Sequence, residues 1–268
     1  MNAYEKKQLH AIAAWRADAP GVLGRKFGVA LQPMAWVMRK VVPEAAIRGA
    51  LGVAHSAAKW LTDSKDVLRD AKVASIAELR SKDLELSDRL ANGVHNWAIG
   101  IAVSQGTGTG MLGLPGMAAD IPALITLALR TIHKIGLCYG FEARDADDEK
   151  FVLGILAVAG ANTLEEKMAA MTALRSIEVT LARMTWQEIG EAAARNHLGK
   201  EAALFTARVL AKQLGINLTR RKALAAIPVV GAAIGGSVNG WYIKEVGWAA
   251  RRTFQERWLL ENRKIRAE

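Results

Sequence analysis

The chain has 268 residues, enough for one large or two small domains, and 51% of them are apolar against 23% charged, a balance that excludes a disordered or tail-like protein. Its 36 basic and 26 acidic side chains leave a net charge of +10, which favours an acidic partner such as an anionic membrane face without choosing its class. The lone cysteine, Cys138, excludes an intramolecular disulfide framework and points to a reducing compartment, and the opening Met1-Asn2-Ala3-Tyr4-Glu5-Lys6-Lys7 lacks the apolar core of a secretion signal.

Taken in chain order, nearly every segment reads with helical period. Asn2 and Glu5 have capping-box spacing and open a helix whose Leu9, Ile12 and Trp15 share a face, with Pro20, Gly21 and Gly24 to end it. Residues 27–41 read as a helix interrupted at Pro33. Pro43 suits the first turn of the next, whose stripe runs Ile47, Ala50, Leu51, Ala54, Ala58 and Leu61. The charged stretch from Thr62 to Arg89 holds one or two short helices. After it, Leu90, Val94, Trp97 and Ile101 form a stripe, and Trp15, Trp60 and Trp97 all fall on faces that point to the core.

Between Arg89 and Asp120 no residue carries a formal charge, and seven glycines fall there: Gly93, Gly100, Gly106, Gly108, Gly110, Gly113 and Gly116. Glycine this dense makes 106–116 a loop or a broken helix. Asp120 then reads as the cap of a helix that opens at Ile121-Pro122 and runs to Tyr139, where Gly140 stops it. Asp145 caps a helix over 146–159. Thr163 with Glu166 and Thr185 with Glu188 mark two further starts, and a helix over 199–213 ends at Gly215. A second charge-free interval, Ala223 to Ile243, precedes a basic amphipathic helix with Val246, Ala250, Phe254 and Trp258 at steps of four. No stretch alternates like a strand, so the expected fold is all-α. With no linker and no fixed-period repeat, residues 1–268 form one multi-helix, bundle-like domain.

Glycines four apart recur: Gly24 with Gly28, Gly106 with Gly110, Gly231 with Gly235, and Gly236 with Gly240. On a helix this spacing strips side chains from one strip and lets a neighbour approach, so these residues, with Gly113, are expected to pack the two uncharged intervals together. Turns and tight packing in a soluble bundle are the alternative. Neither interval makes a conventional bilayer span, because Pro228, Ser237 and Asn239 interrupt one and Asn92, His95, Asn96, Ser104 and Gln105 the other.

The chemistry is sparse. Gly108-Thr109-Gly110-Met111-Leu112-Gly113 matches a dinucleotide fingerprint, but a helical stripe rather than a strand precedes it, so no cofactor is expected. His10, His55, His95, His133 and His197 are too scattered for a metal site. Cys138 reads as a structural thiol, and Asp145, Asp147, Asp148 and Glu149 as a charged helix start. Asp120, His133 and Tyr139 are weak catalytic candidates around a greasy segment, which leaves open an enzyme acting on a lipid or other apolar substrate. Arg251, Arg252, Arg257, Arg263, Lys264 and Arg266 crowd the last helix beside Phe254 and Trp258, a pattern suited to an anionic membrane or an acidic protein partner; the alternative is a solvated face. No nucleic-acid module is present.

Several segments together resemble the EcsC family over nearly the full chain. They are Tyr4-Glu5 with Trp15, the run Gly113-Leu114-Pro115-Gly116-Met117-Ala118-Ala119-Asp120-Ile121-Pro122, Leu129-Arg130, Tyr139-Gly140 and Phe151-Val152-Leu153. Downstream follow Ile227-Pro228-Val229-Val230-Gly231-Ala232, Gly235, Asn239, Ala250-Arg251-Arg252 and Phe254-Gln255-Glu256-Arg257-Trp258. The resemblance implies a bacterial protein of a family named for an ABC-transporter operon linked to secretion, with a cytoplasmic location at the inner face of the cell membrane. It brings no catalytic mechanism, and Asp120, Tyr139, Asn239 and Arg252 carry over as motif residues only. The expected function is therefore a non-enzymatic, membrane-associated accessory role; a soluble helical scaffold for a protein partner is a third reading.

Overall fold

The computed structural model describes residues 1–18, 63–143, 146–161, 163–183 and 228–265, and all regular structure among them is helical, as the all-α expectation requires. The expectations at Pro20 to Gly28, residues 27–41, the Ile47 to Leu61 stripe, His55, Trp60, Asp145, the Thr185–Glu188 box, residues 199–213 and His197 lie outside the described residues.

Helix α1 (Ala3–Ala17) opens on the expected capping box: Asn2 Oδ1 accepts the Glu5 N–H at 2.8 Å, and Glu5 Oε2 accepts the Asn2 N–H at 2.8 Å. Ile12 is buried, and Leu9 and Trp15 pack partly against the core. Helix α2 (Lys65–Ala71) ends where Lys72 turns left-handed at φ 54, and a 3-10 turn follows at Ile76–Arg80.

Helix α3 (Leu84–Gly110) buries a face other than the expected one. Leu84, Asp88, Ala91, His95, Ala98, Ala102, Gly106 and Gly110 point inward at steps of three and four, whereas Leu90, Val94 and Ile101 are half-buried and Trp97 is 55% exposed. Ranking faces by side-chain bulk misleads here, because two helices in close contact prefer small residues between them. The break in the glycine run is confined to Met111 and Leu112. Helix α4 (Gly113–Cys138) starts at once, with Pro122 inside it, so Asp120 is an interior residue and not a cap. Gly140, at φ +87, ends this hairpin; a Cβ there would lie 2.6 Å from the Arg80 backbone nitrogen, and Arg80 Nε donates to the Gly140 carbonyl at 2.8 Å.

Helices α5 (Ala146–Gly160) and α6 (Leu164–Arg183) form the next pair. The second starts on the expected signal, Thr163 Oγ1 accepting the Glu166 N–H at 3.1 Å. The second uncharged interval and the basic segment after it are one continuous helix, α7 (Pro228–Glu261), about 50 Å long at 1.5 Å per residue, with Pro228 at its first position. It runs the length of α3 and also touches α4, α5 and α1, so it forms the spine of the core. Val246, Ala250, Phe254 and Trp258 are all buried along it.

Candidate functional site

The functional geometry is built on the seam between α3 and α7. A Cβ at Gly247 would overlap the His95 ring, one at Gly240 would lie 2.5 Å from Val103 Cγ2, and one at Gly236 would meet Thr107 Oγ1 and, at 3.0 Å, the Val103 carbonyl. The pairs step in opposite directions along the two helices, so the helices are antiparallel and their backbones close. Gly106 and Gly110 are buried on the α3 side; Gly113, Gly231 and Gly235 are helical, with surroundings outside the described residues.

Three polar groups are enclosed along this seam. At the end nearest the α3–α4 turn, the buried Asp120 carboxylate accepts Gln105 Nε2 at 3.0 Å and Asn239 Nδ2 at 3.0 and 3.1 Å. Midway, His95 Nε2 lies 3.0 Å from the Lys244 carbonyl, with the Trp248 ring edge-on at 5.7 Å. Burial, reinforced by the Arg251 charge, pushes its imidazole down to about 4, so the ring is neutral at pH 7 and donates to that carbonyl.

At the far end Asp88 accepts the Tyr4 hydroxyl at 2.7 Å, Gln255 Nε2 at 2.6 Å and the Tyr139 hydroxyl. Arg252 Nη1 reaches Gln255 Oε1 and Gln8 Oε1, each at 2.9 Å. Burial and the Asp88 carboxylate hold both phenols protonated, far above their usual range. Three donors meet on one buried carboxylate, which ties α1, α3, α4 and α7 together.

The sequence candidates do not converge. Asp120 and Tyr139 belong to different networks at opposite ends of α4, and His133 lines a small cleft with Phe141, Phe151 and Arg257. Neither Asp120 nor Tyr139 lines this cleft or the two near Trp15, one beside Trp241 and one beside Met168. Cys138 is buried and its thiol is pushed up to about 12, so it is no nucleophile.

The basic cluster is divided: Arg257 and Trp258 are buried, Arg251 and Arg252 half-buried, and Arg263 and Lys264 exposed. Arg257, between the Phe141 and Phe151 rings at 4.4 and 5.0 Å, pairs with Asp148 at 3.2 Å and Glu261 at 3.3 Å. Trp258 is buried and donates to the Leu79 carbonyl at 3.3 Å. Arg251 reaches Asn92 Oδ1 at 3.0 Å, and Lys264 lies 3.8 Å from Glu5. Arg263 and Lys264 are exposed, and Arg266 lies outside the described residues. Sequence reasoning missed Asp88, Gln105, His95 and Gln255 as network members. For Asp88 the one available signal was its step of four from Leu84 on the small-residue face.

The model of the EcsC protein family matches residues 6–259. Among curated proteins, "Protein EcsC" of Bacillus subtilis (strain 168) is 24% identical over 161 residues, covering 60% of this chain and 59% of that protein. "Uncharacterized protein YdbA" of the same organism is 27% identical over 116 residues, covering 41% of this chain and 43% of its own. The chain thus spans about half the length of the curated relatives it matches. No solved structure matches it.

Proposed function

The chain belongs to the EcsC family, and from that membership we propose that it is a non-enzymatic accessory protein at the cytoplasmic face of the cell membrane, serving transport or secretion. One observation carries the reading: the residues between Arg89 and Asp120 and those over 223–243 hold no formal charge, and the parts of them in α3 and α7 lie side by side at one end of the bundle. A helical hairpin of this kind ends in exposed Met111 (64%) and Leu112 (68%), side chains that water does not favour.

Among the described residues one helix, Asp120–Cys138, is apolar and long enough to cross a bilayer by length and composition, and 72% of that stretch is buried within the protein. That burial supports association from one side over spanning. An ABC-transporter complex is the partner suggested by the resemblance, with anionic lipid as the surface. An enzyme acting on lipid draws no support from the dispersed Asp120, His133 and Tyr139. A scaffold reading has one observation behind it, a cleft of about 180 Å³ lined by Trp15, Met168, Met171 and Leu174, where Met168 is 50% exposed.

Flotation of the purified chain with neutral and with anionic vesicles, at low and high salt, tests the membrane reading. Co-flotation with anionic vesicles is expected; protein left at the bottom under every condition would refute it.

A further inference from the structure

The α3–α4 hairpin carries more than an uncharged end; its side chains are graded by distance from the turn. We propose that the Met111–Leu112 turn enters one leaflet of an anionic bilayer down to its midplane, with Trp97, Arg130 and Lys244 held at the headgroups. This rests on the membrane-associated reading above and adds depth, orientation and contact residues. It also moves the lipid contact from the basic cluster of the last helix, where Arg257 is buried and paired with Asp148, to the opposite, uncharged end of that helix.

Trp97 precedes Leu112 by 15 residues, about 22 Å of helix, and one leaflet with its headgroups is roughly 20–22 Å thick. At that level the chemistry changes from uncharged to aromatic and basic. Trp97 is exposed with the Arg130 guanidinium 5.5 Å from its ring centre, and across the seam Lys244 is exposed beside the half-buried Trp248, over whose ring Arg251 lies at 4.6 Å. Indole rings and cationic groups at one height are the composition of a membrane–water interface, and the cations match anionic headgroups in charge.

Beyond that level the hydroxyl groups of α3 are internally bonded. Ser104 Oγ donates to the Gly100 carbonyl at 3.1 Å, Thr107 Oγ1 to Val103 at 2.8 Å and Thr109 Oγ1 to Gln105 at 3.0 Å. Each hydroxyl is turned back onto its own helix, so its proton needs no water, the arrangement that lets hydroxyl residues enter hydrocarbon. The one ionisable group this deep in α3 and α4, Asp120, is buried and held by Gln105 and Asn239 away from the surface. At the turn itself the Met111 N–H donates to the Thr107 carbonyl at 3.4 Å and the Leu112 N–H to the Thr109 carbonyl at 3.1 Å.

Two measurements on the full chain test this. The double substitution Met111→Glu with Leu112→Glu alters exposed side chains at a turn, and its thermal melt is expected to match that of the parent. Flotation with phosphatidylcholine–phosphatidylglycerol vesicles should fall about tenfold or more, since a carboxylate resists transfer to the bilayer centre. Separately, Leu112→Cys carrying an environment-sensitive fluorophore should shift to the blue and be quenched by nitroxides deep in the acyl chains, and the same label at Trp97→Cys should be quenched by shallow ones; Cys138 is buried and does not compete for label. If the parent floats, but the double variant floats equally and the label at position 112 stays in water, the inserted hairpin is overturned while membrane association stands. If the parent fails to float, the membrane reading falls and this inference with it.

Discussion

Gly247 and Gly100 sit on facing helices and predict opposite results for the same substitution. A methyl at Gly247 overlaps the His95 ring, while one at Gly100 meets nothing within 4 Å. Gly247→Ala should therefore lose about 1–3 kcal/mol through overpacking, and Gly100→Ala should gain up to about 1 kcal/mol from its lower backbone entropy. Urea denaturation of both variants checks the contrast; equal effects would mean the seam is looser than described. The same histidine predicts a pH dependence. Its folded value of about 4 lies below the ordinary 6.5, so between the two the unfolded chain binds more protons. The stability this contributes is complete above about pH 6.5, up to about 3 kcal/mol, and is lost as pH falls toward 4. Unfolding free energy measured across that window should fall more steeply for the parent than for His95→Gln.

Among the elements, α1 is tied down chiefly by polar groups. Tyr4 donates to Asp88, Gln8 accepts from Arg252, Arg16 pairs with Glu256, and Lys167 caps its end by donating to the Trp15 and Asp18 carbonyls. Asp88→Asn removes the charge on which Tyr4, Tyr139 and Gln255 converge, at a cost of about 2–4 kcal/mol. Amide exchange should then quicken in α1 before it does in α3 or α7; a uniform change along the chain would speak against this linkage. Little of this network is legible in the sequence, because Tyr4, Tyr139 and Gln255 lie 84, 51 and 167 residues from Asp88. Local signals fare better. Asn2 with Glu5 and Thr163 with Glu166 mark real helix starts, since a cap and its acceptor are neighbours in the chain. Asp120 defeats the same logic: Asp before Ile-Pro looks like a start, but the helix already runs from Gly113, and the carboxylate is spent on Gln105 and Asn239 instead.

For the whole molecule, the all-α class and the family follow from periodicity and from motifs spread along the chain, and the structure and the family match agree with them. The face α3 turns inward does not follow from periodicity, because its choice depends on α7, more than a hundred residues away, presenting glycine rather than bulk. That pairing places the uncharged helix ends side by side, and the membrane reading depends on it. Val103 and Gly240 offer its most direct test, since a Cβ built at Gly240 lies 3.9 Å from the Val103 Cβ, within the usual range for a disulfide. With Cys138→Ser as background, Val103→Cys combined with Gly240→Cys should cross-link fully under mild oxidation, while Gly93→Cys with Gly240→Cys should stay reduced. A first pair that remains reduced in a folded protein, or a second that links as readily, would contradict the antiparallel seam.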